Sequence, residues 1–144
     1  MKEPTYDLVV TVQREIAAPP ETVYDSWLSA EVPGTVWNAA DEYVLDAKVG
    51  GLFYWLLDEN AHYGRFTALT RAKRIEHTWV SPSTLGEESK VSITFKKKGA
   101  GTVMTLVHSG LPNNERGKGH ERGWNYFLGI FPGQFVAAPR KRTK

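Results

Sequence analysis

Near the start of the chain, hydrophobic and polar residues alternate with period two. Leu8, Val10, Val12 and Ile16 interleave with Asp7, Thr11, Gln13 and Glu15, the pattern of a strand with one buried face, blurred at Val9 and Arg14. Pro19 and Pro20 stop that strand. Pro20 suits the first turn of a helix and Glu21 its positive end, while Val23, Tyr24, Trp27 and Leu28 recur at helical spacing, predicting a short helix that ends near Pro33–Gly34. From Glu42 the period returns to two. Tyr43 to Val49 and Leu52 to Leu57 read as strands joined by a tight turn at Gly50–Gly51. His62 to Thr70 and Arg74 to Val80 form a second pair around Arg71–Ala72–Lys73; Val91 to Lys96 and Val103 to His108 form a third around the turn from Lys97 to Gly101. Seven strands are predicted in all.

The last periodic segment is helical. Asn113 or Asn114 can cap it, Glu115 falls in its first turn, and it should stop at Phe131 because Pro132 restricts the residue before it. His120, Trp124, Phe127, Leu128 and Phe131 share one face, apolar except for the histidine. Gly117, Gly119, Gly123 and Gly129 each weaken a helix by about 1 kcal/mol relative to alanine, so the first turns should depend on packing or be mobile. Strands in succession followed by a long helix indicate an α+β domain, an antiparallel meander with its helices on one face. One domain over residues 1–138 is expected, followed by a basic tail at 139–144.

Composition narrows the chemistry. At 144 residues and 41% hydrophobic, the chain can bury one core without staples. With no cysteine, disulfides and thiolate chemistry are excluded, and a metal would need histidine or carboxylate ligands; no HxH or HxxxH pair supplies them, so neither metal nor other cofactor is expected. Lys2, Glu3 and Pro4 do not begin a signal peptide, and no apolar run is long enough to cross a bilayer, so a soluble, cytoplasmic protein without membrane contact is expected. Arg140, Lys141, Arg142 and Lys144 account for more than the whole net charge of +2, leaving a net negative body with no footprint for nucleic acid.

Strand alternation places Phe53, Trp55 and Leu57 on one face, Ile75, His77 and Trp79 on another, and Met104, Leu106 and His108 on a third. Turned toward the last helix, these faces would enclose a space beneath Trp124 and Leu128, with Trp37 arriving from the loop after the first helices and His120 at the upper end. Core packing should account for about half of these side chains. Five tryptophans exceed what a core this size needs, and a pocket of roughly a few hundred Å³ is expected between helix and sheet. Its expected lining is Trp37, Phe53, Trp55, His77, Trp79, Met104, His108, His120, Trp124 and Leu128, with His77 and His108 orienting a ligand oxygen; His62, beside a loop, is expected to be exposed. Nucleophile elbow, phosphate loop and dinucleotide fingerprint are all missing, and Gly117–Lys118–Gly119 lacks the Ser or Thr a phosphate loop requires. Acid–base chemistry, if present, would fall to His77 or His108 with Tyr63 or Arg65.

Several phrases carry a family resemblance. Ala18–Pro19–Pro20–Glu21–Thr22–Val23–Tyr24–Asp25–Ser26–Trp27, Gly50–Gly51–Leu52–Phe53, Arg74–Ile75–Glu76–His77–Thr78–Trp79, Thr105–Leu106–Val107–His108 and Gly123–Trp124 with Leu128 resemble homologues of the activator of the ninety-kilodalton heat-shock chaperone ATPase. These belong to the START-like, birch-pollen-allergen-like helix-grip superfamily (SRPBCC). The resemblance implies a seven-stranded sheet wrapped around the C-terminal helix, two short helices after the first strand, and a cavity between. Two departures stand out: Pro132 shortens the last helix, and His77 replaces what is more often an aromatic or aliphatic residue. The expected role is non-catalytic binding of a small apolar molecule such as a lipid, steroid or polyketide-like compound. Cyclase or aromatase chemistry is the alternative and a chaperone-binding or stress-response module the third; a homodimer stays open.

Overall fold

The computed structural model describes residues 3–135. The expected domain end at 138 and the basic tail at 139–144 lie outside the described residues, as do Met1 and Lys2. Strand β1 (Leu8–Ile16) is followed by helices α1 (Pro20–Trp27) and α2 (Val36–Ala39), then by β2 (Glu42–Leu45), β3 (Leu52–Leu57), β4 (Asn60–Thr70), β5 (Arg74–Trp79), β6 (Ser89–Lys98) and β7 (Gly101–Leu111), and finally by helix α3 (Glu115–Ile130). All seven strands form one antiparallel sheet in the order β1-β7-β6-β5-β4-β3-β2. The meander therefore runs from β2 to β7. The first strand leaves it, and closes the far side against the last.

In β1 the alternation survives its two irregular positions. Arg14 does sit on the inward face, but at the sheet edge, where its guanidinium bonds the Asn125 side chain of α3 at 2.8 Å. The first helix is shorter than its spacing predicts. It ends at Trp27 because Ser29 turns local: its hydroxyl accepts from the Glu31 N–H and its carbonyl from the Thr35 hydroxyl, which in turn caps α2.

The two strands expected around Gly50–Gly51 do pair as an antiparallel hairpin, but the tight turn expected at the two glycines is not formed. Strand β2 stops at Leu45, opposite Phe53, and the chain loops from Asp46 to Gly51. Gly50 and Gly51 instead bond Phe66 of β4, and a Cβ on Gly51 would collide with the Asp46 carbonyl. The two-residue hairpin lies one strand later, at Asp58–Glu59, whose φ angles of 50° and 67° give the primed turn that matches strand twist. Beyond it β4 pairs first with β3 and then with β5, shifting register between Phe66 and Ala68, a bulge that helps curve the sheet.

Helix α3 lies in the hollow of this curve. The Asn114 side chain accepts from the Gly117 N–H at 3.0 Å, and Gly117 passes so close to the Pro112 carbonyl that a Cβ would not fit. The first turns are thus fixed by a cap and a close approach, which offset the glycine penalties. Trp124, Phe127, Leu128 and Phe131 bury the inward face, Phe131 against Trp27 at 5.0 Å between ring centroids.

Candidate functional site

Under the middle of α3 the space expected to be a cavity is filled with side chains. Met104, Leu106 and Leu128 are completely or almost completely buried there. Trp37 packs edge-on against Phe53 at 5.5 Å and donates its indole N–H to the Trp27 carbonyl at 3.2 Å, tying α2 to α1. His77 is wedged between Phe53 and Phe66 with centroids at 4.7 and 5.5 Å, and its Nδ1 donates to the Thr78 carbonyl at 2.8 Å. Trp37, Phe53, His77, Met104 and Leu128 therefore belong to the packed core, not to an open wall.

An opening does exist, nearer the N-terminal half of α3. It is a cleft of about 200 Å³, at or below the low end for small-molecule sites. Strands supply Trp55, His62 and Trp79; the helix supplies His120, Trp124, Phe127 and exposed Arg116; and Ser83, from the turn after β5, is also in the lining. Gly119 and Gly123 make the trough. A Cβ added at Gly123 would meet nothing within 4 Å, and one at Gly119 only the Arg122 guanidinium at 3.4 Å. His62 stacks on Trp55 with centroids 3.9 Å apart, while Trp79 lies 5.7 Å from Trp55 and 5.1 Å from Trp124. A larger groove of about 570 Å³ runs outside, between Pro19–Pro20 and Lys96–Lys97, but no unpartnered buried side chain lines it.

Polar groups behind the cleft divide into satisfied and unsatisfied sets. His108, fully buried, is satisfied at both nitrogens. Trp124 Nε1–H donates to its Nδ1 at 3.0 Å, so the ring proton sits on Nε2, which donates to Ser89 Oγ at 2.8 Å; the Ser89 hydroxyl donates onward to the Trp79 carbonyl at 2.7 Å. Each role in this relay is fixed by the next, because a carbonyl can only accept. His108 has no nitrogen left for a ligand and serves to hold Trp124 and Trp79 in place. His77 and His108, expected to orient a ligand, both lie behind the cleft and not in its lining, as do Tyr63, half-exposed, and Arg65.

His120 differs. Its Nδ1 donates to the Gly117 carbonyl at 2.9 Å, leaving Nε2 as a free acceptor on a residue that lines the cleft. Three polar atoms in residues of the cleft wall, Trp55 Nε1, Trp79 Nε1 and His62 Nδ1, have no partner among the described residues, and each is itself covered by its neighbours and not open to the cleft. Burial pushes the His62 and His77 pKa values down to about 4, against weaker opposing pulls from nearby carbonyls. Burial likewise holds His108 well below its ordinary value, with neutral-state preference reinforced by His120 and His77, and lowers His120. All four histidines are therefore neutral at pH 7. Among the described residues no cluster of histidine and carboxylate groups could hold a metal ion.

Of the ten residues expected to line a site, the structure gathers Trp55, Trp79, His120 and Trp124 at the cleft. Reasoning from sequence missed His62, Phe127, Ser83, Arg116, Gly119 and Gly123. His62 was expected to be exposed, yet it stands directly opposite Trp55 and shares the inward parity of Gly64 and Phe66. Starting β4 two residues earlier, after Asp58–Glu59, would have revealed it. Phe127 was already on the helix face, and Gly119 and Gly123 carry the signal of a gap rather than of a side chain.

The sequence matches the family model for Activator of Hsp90 ATPase homolog 1-like protein over residues 17–132. The chain belongs to that family. Its seven-stranded curved sheet around a long helix is the START-like helix-grip fold, and solved structures agree. A Chromobacterium violaceum protein is 22% identical, with a TM-score of 0.71 over 90% of this chain and 98% of its own. An HSP90 activator from Plasmodium falciparum is 24% identical, with a TM-score of 0.67 over 86% and 90%. The Aha1 dimer from Colwellia psychrerythraea is 14% identical, with a TM-score of 0.71 over 90% and 97%. No protein with a curated description matches the sequence significantly. Among the described residues, no helix of this family member is long and apolar enough to cross a membrane.

Proposed function

We propose that the protein binds a small, mostly apolar molecule in the cleft between α3 and strands β3 to β5, without turning it over. The observation that supports this reading is the coincidence of an aromatic trough with a free acceptor on a lining residue, His120 Nε2. A mostly apolar ligand would cover the rings, and one polar hydrogen on it would serve that acceptor. Native mass spectrometry of freshly purified protein should then show a stoichiometric small-molecule adduct that is released intact on denaturation. A released compound chemically altered from the one added back would favour the cyclase-type alternative; no adduct, and no binding across a panel of one- and two-ring aromatic compounds, would remove the binding reading.

The trough also makes a two-sided prediction. Gly123→Ala should stabilise α3 by about 1 kcal/mol, because glycine is the poorer helix former and the new methyl meets no neighbour. The same methyl projects where the cleft is, so ligand affinity should fall. Gly129→Ala, also free of clashes but away from the cleft, is the control: equal stabilisation with affinity unchanged. Thermal melts and titrations of the two variants check it; equal affinity in both would place the ligand elsewhere.

Family membership motivates a second reading, contact with an Hsp90-type chaperone. It makes no use of the cleft, and a chaperone ATPase assay with this domain addresses it independently.

A further inference from the structure

We propose that two copies of the chain associate by pairing β2 with β2, antiparallel about a two-fold axis at Val44, which joins their sheets into one. The surface lies at the free edge and on the outer face of the sheet, and its use is independent of the cleft.

Two observations meet at this edge. The first is an open strand. One step on from the Leu45–Phe53 pair, Asp46 N–H donates to the Leu52 carbonyl at 3.1 Å. Even-numbered residues of β2 therefore turn their backbone groups toward β3, while Tyr43 and Leu45 turn theirs away, where no strand takes them among the described residues. The opposite edge is covered: α3 packs along β1, and Arg14 ties the two together at Asn125. Glu42–Leu45 holds neither proline nor lysine, the residues that commonly guard an exposed edge. The second observation is the apolar surface beside the strand. Val44, Tyr54 and Tyr63 stand opposite one another in a row across β2, β3 and β4. On this outer face Val44 is 59% exposed, Leu52 56% and Tyr63 51%, where an antiparallel sheet facing water is ordinarily polar.

The occupant follows from the register. A two-fold axis at Val44 uses all four outward groups, because Tyr43 exchanges both bonds with the partner's Leu45 and Leu45 with the partner's Tyr43. Centred on Tyr43, the pairing would need Asp41, whose N–H is already given to the Leu56 carbonyl at 2.7 Å. Centred on Leu45, it would need an extended Ala47, where Lys48 N–H instead closes a turn on the Asp46 carbonyl at 2.8 Å. At the axis Val44 meets the partner's Val44 in the close, non-hydrogen-bonded kind of pair, and the row Tyr63, Tyr54, Val44 continues into its own copy. A strand of unrelated sequence could take the backbone bonds but would not continue that row. One contact opposes the pairing: Glu42 falls opposite the partner's Asp46 at each end, offset in part by Lys48, 3.8 Å from Asp46 in its own chain. The association is therefore weak and sensitive to charge.

The chain has no cysteine, so a single one reports the axis cleanly. Cα atoms about 4.5 Å apart in a pair of this kind admit a disulfide. Val44→Cys should give a covalent dimer under mild oxidation, much faster than Val9→Cys, which is similarly exposed, at 54%, on the opposite edge strand. In sedimentation from micromolar to near-millimolar concentration, wild type should dimerise reversibly and Val44→Lys should stay monomeric. Glu42→Lys, which turns both repulsions into ion pairs, should tighten the dimer about tenfold. Circular dichroism should show both variants folded, since both positions are exposed. A wild type that is monomeric throughout, with Val44→Cys cross-linking no faster than Val9→Cys, overturns the proposal and leaves the edge to an extended segment of another protein. A dimer that survives Val44→Lys, or is indifferent to Glu42→Lys, overturns it too and puts the interface elsewhere on the surface.

Discussion

Trp124→Ala should lower the unfolding free energy by about 3–5 kcal/mol through loss of the buried ring alone, out of the roughly 5–15 kcal/mol that a domain of this size possesses. The relay adds to that loss. Without the Trp124 donor, His108 Nδ1 is left buried and unpartnered, a further cost of about 1–3 kcal/mol. Trp124→Phe separates the two effects, since it retains most of the apolar surface and removes only the N–H. Chemical denaturation should rank wild type above Trp124→Phe and Trp124→Ala lowest. If Trp124→Phe were as stable as wild type, the indole–imidazole bond would carry no energy, and an unchanged Trp124→Ala would mean that the ring is not buried at all.

Acidification should produce an effect of similar size. Burial depresses the pKa of every histidine in the chain, so between pH 6.5 and about 4 the unfolded state binds more protons than the folded one. The sign follows: the stability held by neutral histidines is complete above pH 6.5 and is lost as pH falls toward their folded-state values. Each histidine contributes a slope of about 1.4 kcal/mol per pH unit once the unfolded form is protonated, so the deeply buried pair His77 and His108 gives about 2.7. His62 and His120, partly solvated, act in the same direction with less weight. Protonating His108 also sets a new N–H against the Trp124 N–H that it now accepts. Unfolding midpoints at pH 7.5, 6.0 and 5.0 should therefore fall steeply, well before most carboxylates titrate. A flat profile over that range would show that the histidines can charge in place.

The architecture was legible because its signals are periodic. Seven strands and the span of α3 followed from alternation at two and at 3.6 residues, and the family phrases supplied the curvature. The failures have local causes. Gly50–Gly51 looks like a hairpin turn, yet these glycines are small because Gly51 crosses the Asp46 carbonyl and both residues pair with Phe66, a contact between distant parts of the chain. The genuine turn, Asp58–Glu59, carries no glycine and gave no signal. At the site, alternation correctly assigned His77 and His108 to the inward face but could not distinguish inward from empty. Whether an inward side chain meets a void or a neighbour depends on the volumes opposite, here Phe53 and Phe66 around His77 and the Trp124–Ser89 bracket around His108. The void arises where side chains are missing, at Gly119 and Gly123, and a residue that contributes nothing leaves no hydrophobic pattern.

The pairing of the first strand with the last has a consequence in time. Leu8 meets Leu111 and Ile16 meets Thr102, so β1 leaves the ribosome first and must wait for β7 before it has a partner. Throughout that interval Val10, Val12 and Ile16, which end up buried, are a hydrophobic edge in search of any strand, while β2 to β7 can assemble by short steps as each appears. Synthesis order and assembly order thus run in opposite directions, and the segment made earliest is the one most exposed to capture by another chain.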